Sequence, residues 1–192
     1  PLGADVSSSQ FLEPDGSFPN HIPNPEDKTA IESIRAKVRE AKTDLGLIFD
    51  TDVDRVSAVD ESAKEINRNA IVALAAALIA DSHPNSTVVT DSVTSRGLTA
   101  FLEGSLGLKH LRFKRGYRNV INKSIELNEQ GIESDLAIET SGHAAYKENF
   151  FLDDGAYLAT KIVIATAKCK KAGNGISSLI SDLSEPLESQ EV

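Results

Sequence analysis

Three carboxylates at alternate positions, Asp50, Asp52 and Asp54, with Arg55 directly after them, form the pattern in this chain best suited to chemistry. The run Leu45-Gly46-Leu47-Ile48-Phe49 leads into them and reads as a buried strand. The carboxylates therefore stand where a strand ends, and in open α/β sheets ligands bind in the crevice beyond the strands' carboxyl ends. Charges this close repel one another unless a cation or a shared proton intervenes. Hard oxygen donors with no Cys or His beside them suit Mg²⁺ or Ca²⁺ better than zinc. A solvated acidic turn is the plain alternative. An EF-hand reading, with Glu61 closing the loop, fails because Arg55 stands where that loop needs Gly and a strand rather than a helix leads in.

A second constellation repeats this logic. The apolar stretch Leu136-Ala137-Ile138 ends in Glu139-Thr140-Ser141-Gly142-His143. Glu139 can accept hydrogen bonds from sugar-type hydroxyls, and Ser141 can donate or accept one. Gly142 lets the backbone bend close to a ligand. His143 titrates near neutrality and can move a proton. A capping turn that holds a hydrogen-bonded histidine explains the same residues equally well. Lys114 and Arg115 can meet a phosphate or simply face water.

The elements that position these loops follow from composition and periodicity. The chain has 192 residues, 40% of them hydrophobic, which suffices for a real core in one large domain or two small ones. No uninterrupted apolar segment has the length of a membrane span. A net charge of −9 argues against nucleic acid as the main partner, since phosphate backbones need basic surface. A small phosphorylated ligand needs only a local basic pocket. The single Cys169 excludes an internal disulfide and suits a reducing compartment. There is no Met and no visible signal peptide, so the chain reads as an internal piece of a longer protein, located inside the cell, in the cytoplasm or alternatively a plastid.

Residues 1–25, with Pro1, Pro14, Pro19, Pro23 and Pro25, read as loop and turn, and His21 within them as a loop hydrogen-bonding residue. Glu26 to Lys42 keeps helical spacing through Ile31, Ile34 and Val38. Val56 to Asp60 returns as a hairpin partner or continuation of the strand before it. Ile66 to Ala80 is apolar on nearly every side, the mark of a helix buried against a sheet. Then come strand 87–90, helix 95–103, strand 111–113, helix 118–130, strand 135–139 and helix 153–170. That alternation implies a layered α/β domain with helices on the sheet faces, folding independently of the residues before it. Lys168 to Gly175 reads as a linker, and the acidic stretch from Ser181 as weakly structured or as the start of another domain.

Together the two loops resemble the α-D-phosphohexomutase superfamily, which includes phosphoglucomutases and phosphomannomutases. Asp50-Thr51-Asp52-Val53-Asp54-Arg55 is similar to its metal loop, Asp-Gly-Asp-Gly-Asp-Arg, and Ile138-Glu139-Thr140-Ser141-Gly142-His143 to its sugar loop, Gly-Glu-x-Ser-Gly-His. Phe18-Pro19-Asn20-His21 to Pro25-Glu26 resembles part of the second family domain, and Phe151-Leu152-Asp153-Asp154-Gly155 the start of the last helix of the third. Thr51 and Val53 replace glycines, so this loop is expected to avoid backbone angles that favour glycine. Tyr117 stands where bacterial members often have His.

The resemblance implies layered α/β/α domains with a mixed sheet. It divides the chain into the end of domain two over 1–62, domain three over 63–171, and a linker or tail toward a fourth domain over 172–192. It implies an isomerase that interconverts hexose 1-phosphate and hexose 6-phosphate through a phosphoserine and a hexose 1,6-bisphosphate, with Mg²⁺ as cofactor. The phosphoserine loop is not in this chain, so the piece alone is expected to be inactive. The implied roles are metal binding by Asp50, Asp52 and Asp54, substrate binding by Glu139, Ser141, Gly142, His143 and Arg115, and catalysis by His143 and Arg55. His143 acts as acid/base or only orients the substrate; Arg55 adds fixed charge or bridges the Asp cluster. The partners are small hexose phosphates and the remaining domains, not nucleic acid or membrane. Two rivals remain: a haloacid-dehalogenase-type phosphatase with Asp50 as nucleophile, whose pattern usually has Thr where Asp54 stands, and a non-catalytic sugar-phosphate-binding module. Preference among glucose, mannose and amino sugars is not readable.

Overall fold

The computed structural model describes residues 3–184. From residue 3 to residue 27 the chain forms turns without helix or strand, as the proline content predicts, and His21 Nδ1 lies 2.9 Å from the Ile22 carbonyl oxygen. Helix α1 (Lys28–Ala41) starts at Asp27, whose side chain accepts hydrogen bonds from Thr29 N and Ala30 N, and stops at Lys42 in a left-handed conformation. It covers one face of a three-stranded antiparallel sheet of β1 (Gly46–Phe49), β2 (Val56–Val59) and β3 (Glu65–Ile66), with β2 central. Strand alternation divides the side chains. Ile48 packs on α1 with Ala30 and Ile31, whereas Val56 and Ala58 face the opposite way into the main core.

The second sheet has the order β5-β4-β6-β7, formed by β4 (Thr87–Thr90), β5 (Lys109–Arg112), β6 (Leu136–Ile138) and β7 (Ala144–Tyr146). Strands β5 and β6 run parallel to β4, and β7 is antiparallel to β6, so the expected mixed sheet is present. Helix α4 (Tyr117–Glu129) packs Val120 and Leu127 against Val89, Ala137 and Ala145 on one face. The other face, with Val88, Leu136 and Ile138, meets α2 (Asn69–Ala80), α3 (Arg96–Ala100), which continues as a π-helical turn Phe101–Ser105, and α5 (Gly155–Lys171).

Helices α2 and α5 thus share one apolar core with residues of both sheets, and α5 contacts β2 directly. Nine of the twelve α2 residues are buried, which explains why its sequence is apolar all round. The same core contains Val56 and Ala58 from the first sheet, Leu136 and Ile138 from the second, and Leu158 and Ile162 from α5. The later segment thus shares part of its apolar core with the first sheet, which the sequence does not announce: periodicity reports that a helix is buried, not what covers it.

Two details differ from the sequence reading. Ala144–Tyr146, to which the sequence assigns no element, is a strand, because three buried residues pair back onto β6 directly after the turn. The linker signal at Lys168 to Lys171 is the last turn of α5, where three lysines complement the helix dipole. The chain then forms a 3₁₀ turn, Ile176–Ile180, with Ile176 fully buried against the core. The acidic stretch expected from Ser181 lies outside the described residues beyond position 184.

Candidate functional site

Both loops are hairpin connections, Asp50 to Arg55 between β1 and β2, Glu139 to His143 between β6 and β7, and the fold brings them together. Arg55 and His143 form an antiparallel bridge between the two sheets, and Val56 N lies 3.5 Å from the Gly142 carbonyl oxygen. Gly155 N donates to the Val53 carbonyl oxygen at 3.1 Å, so the start of α5 is tied to the same place. Gly142 has φ +97°, and a Cβ built there would stand 2.5 Å from the Val56 carbonyl oxygen, which accounts for glycine at this position.

In the first loop Asp50 is buried and accepts two hydrogen bonds from Arg55, from the backbone N at 3.1 Å and from Nε at 2.7 Å. Burial alone would raise the Asp50 carboxyl, but these bonds and the Arg55 charge outweigh it and hold it below the usual carboxylate range. Arg55 forms an ion pair with Asp50, Nε to Oδ2 at 2.7 Å. Asp54 behaves oppositely. Burial, reinforced by contact with Asp50, pushes its carboxyl up to about 6, with His143 partly opposing. Asp52 is exposed. One ligand oxygen from each of Asp50, Asp52 and Asp54 falls within 4.8 Å of the others, and Asp54 Oδ1 is buried without a hydrogen-bond partner. Three hard donors, one of them orphaned, fit a small divalent cation such as Mg²⁺.

Val53 corrects one expectation. It stands at a position of the family's glycines yet adopts φ +64°, a backbone region that disfavours a β-branched residue. The turn keeps the glycine-like shape and holds its carbonyl toward Gly155 at the expense of strain.

In the second loop Glu139 is 6% exposed and accepts a 2.6 Å hydrogen bond from Gly116 N, at the start of α4. Burial is the largest influence on its carboxyl and, against that bond, raises it; the charge of Arg115 opposes the rise. Arg115 itself is exposed beside this site. Ser141 Oγ is buried without a hydrogen-bond partner. His143 Nδ1 lies 2.9 Å from Asp153 Oδ2 and 3.6 Å from Asp54 Oδ2. Burial disfavours the charged imidazole, but the Asp153 bond and the two carboxylate charges outweigh it and raise its affinity for a proton. The ring stacks on Tyr117, with centroids 5.0 Å apart and planes at 17°.

The carboxylate loop and the sugar loop thus meet in one region. Asp153 and Tyr117 join it as partners of His143 that sequence reasoning did not assign. In the sequence Asp153 marks the start of a helix, and nothing in the local pattern says that it faces a histidine ten residues earlier. A cavity of about 350 Å³ between β3 and the Ile176–Ile180 turn contains none of these residues.

Comparison with known proteins bears on the family and the fold. The family model described as phosphoglucomutase/phosphomannomutase, alpha/beta/alpha domain II, matches residues 3–64, and that of domain III matches residues 67–186. A phosphomannomutase/phosphoglucomutase of Pseudomonas putida is 33% identical over 187 residues, covering 96% of this chain and 39% of the relative. The chain therefore spans about two fifths of the length of such curated relatives. Among solved structures, a phosphoglucomutase/phosphomannomutase family protein of Burkholderia thailandensis superposes with a TM-score of 0.76 at 28% identity, over 90% of this chain and 36% of that one. An N-acetylphosphoglucosamine mutase of Aspergillus fumigatus, solved with GlcNAc-6P and magnesium, shares the fold at a TM-score of 0.51 and 14% identity, over 79% of this chain and 40% of that one. With two family domains matched in order over nearly all of its residues, the chain belongs to the phosphoglucomutase/phosphomannomutase family.

Proposed function

We infer that this chain is the domain II and III portion of a phosphohexomutase that interconverts hexose 1-phosphate and hexose 6-phosphate. The observation that carries the reading is the junction of the two loops: Asp54 of the carboxylate loop and His143 of the sugar loop lie 3.6 Å apart. A cation site and a hydroxyl-binding site joined in this way suit a phosphorylated sugar, which presents both chemistries at once. The Aspergillus relative solved with GlcNAc-6P and magnesium is consistent with such a ligand pair.

Asp50, Asp52 and Asp54 would hold Mg²⁺, which supplies charge neutralisation for the phosphoryl oxygens as their charge shifts toward the transition state. Arg55 orients Asp50 and keeps it ionised. Glu139 and Ser141 grip sugar hydroxyls, Ser141 through the oxygen that has no protein partner. Arg115, exposed beside Glu139, meets a substrate phosphate. His143, fixed at Nδ1 by Asp153, holds or moves a proton at a sugar oxygen. The phosphoserine that donates to the sugar, and the hexose 1,6-bisphosphate that bridges the two half-reactions, belong to the complete enzyme, and the chain by itself is inactive. We assign it to an intracellular, cytoplasmic setting.

The phosphatase alternative is disfavoured because attack on phosphorus needs an open face at Asp50, whose side chain is 2% exposed and paired with Arg55. Phosphorus NMR of the complete protein with glucose 1-phosphate or mannose 1-phosphate and Mg²⁺ tests the proposal. Formation of the 6-phosphate, with release of inorganic phosphate negligible, is expected. Stoichiometric release of inorganic phosphate, or an acyl-phosphate trapped on Asp50, would refute it.

A further inference from the structure

Asp91 belongs to neither loop, yet it holds the sugar loop in place. It directly follows β4, and because Thr90 pairs with Ile138, the chain leaving β4 runs beside the chain leaving β6. Asp91 is 1% exposed. Its Oδ2 accepts from both Thr140 N at 3.0 Å and Thr140 Oγ1 at 2.8 Å, and its Oδ1 accepts from Val93 N at 3.2 Å. A buried carboxylate is tolerated only when its oxygens are satisfied, so these donors cannot be withdrawn without consequence.

The support behind Asp91 is rigid. The hydroxyls of Thr90 and Thr94 lie 3.2 and 3.1 Å from its carbonyl oxygen. Thr90 Oγ1 also meets His110 Nε2 at 2.7 Å, and Thr99 Oγ1 meets the other ring nitrogen at 2.8 Å. On the other side Thr140 is itself buried, held at both its N–H and its hydroxyl, and flanked by Glu139 and Ser141. A residue gripped at backbone and side chain leaves its neighbours little freedom to turn.

We propose that Asp91 is a positioning residue of the sugar loop, whose buried carboxylate clamps Thr140 and thereby presents Glu139 and Ser141 to the hydroxyls of a hexose phosphate. The proposal rests on the hexose-phosphate reading of that loop. Substrate binding should depend on Asp91 although it touches no substrate, whereas Mg²⁺ binding at the other loop should not.

The test uses the complete protein with Asp91→Asn, Thr140→Val and Thr140→Ser. Asp91→Asn keeps the size but replaces one acceptor with a donor, and Thr140→Val keeps the shape but removes the hydroxyl. Each should raise KM for hexose phosphate, Asp91→Asn by about tenfold or more, with the Mg²⁺ dependence unchanged. Thr140→Ser, which retains both bonds, should recover most of the loss. A merely structural Asp91 would lower Tm and leave KM of the folded enzyme where it was, and that result overturns the proposal. If Asp91→Asn does not fold, the contrast between Thr140→Val and Thr140→Ser decides, equal KM values refuting the clamp. Hydrogen exchange gives a readout without turnover: Asp91→Asn should accelerate exchange across 139–143 and leave the β2 amides protected. Should the wild type turn over no hexose phosphate, the functional reading fails, and unchanged exchange in 139–143 would separately sink the positioning role.

Discussion

Replacing Gly142 by Ala tests the junction of the two loops at its tightest point. At φ +97° an L-residue is strained, which costs about 1–2 kcal/mol. The new methyl would also stand 2.5 Å from the Val56 carbonyl oxygen and 3.2 Å from Val56 N, both backbone atoms that cannot swing aside. Relief requires the β6–β7 turn and the start of β2 to separate, and overpacking of that kind costs about 1–3 kcal/mol. The sum, roughly 2–5 kcal/mol, is a large part of the 5–15 kcal/mol that holds a typical domain together. For a chain of this length it corresponds to a fall in Tm of roughly 4–20 °C. Gly104 is the matched control: it lies in the π-helical turn with nothing within 4 Å of an added Cβ and no positive φ. Gly104→Ala should be neutral or stabilise by up to about 1 kcal/mol. Thermal unfolding followed by circular dichroism compares the two. A Gly142→Ala chain as stable as wild type would mean that the loops do not meet as described.

Val53→Gly should stabilise the chain by about 0.5–1 kcal/mol in urea unfolding, since relief of left-handed strain exceeds the entropic cost of glycine and the side chain is 38% exposed; unchanged stability would show that no strain is stored there. Because burial raises Asp54 above its unfolded value, the folded chain binds that proton more tightly, and the resulting stabilisation is complete below the unfolded value and lost as pH rises through about 6. Mg²⁺ competes for the same deprotonated oxygens, so its affinity by titration calorimetry should fall steeply as pH drops below about 6, and pH-independent affinity would refute the role given to Asp54. Asp153→Asn should shift the NMR titration of His143 to lower pH, because it removes the nearest carboxylate charge while burial remains; an unmoved midpoint would mean that Asp153 does not hold the ring.

Both loops were legible because their residues lie contiguous in sequence and each follows an apolar run that can only be a strand. What surrounds them was not. Asp91 and Asp153 meet Thr140 and His143 through strand pairing and the placement of α5, neither of which leaves a local trace. Strand β7 escaped because Ala144-Ala145-Tyr146 is too short to show alternation. The left-handed Val53 contradicts the preference of its own side chain, so propensity pointed the wrong way. The sharing of one core by two sheets was hidden for a different reason. An all-apolar α2 announces burial on every side, but only the fold shows that α5 and the Ile176–Ile180 turn are among the elements that cover it.

The central claim is that the carboxylate loop and the sugar loop form one site for a phosphorylated sugar and a divalent cation. Binding of glucose 1,6-bisphosphate to the complete protein, measured by titration calorimetry with and without Mg²⁺, tests it most directly. If Asp54 and His143 serve the same ligand, each should tighten the other's binding reciprocally, with Mg²⁺ improving bisphosphate affinity about fivefold or more. Equal affinity with and without Mg²⁺ would mean that the two loops, though adjacent, do not work on a common ligand.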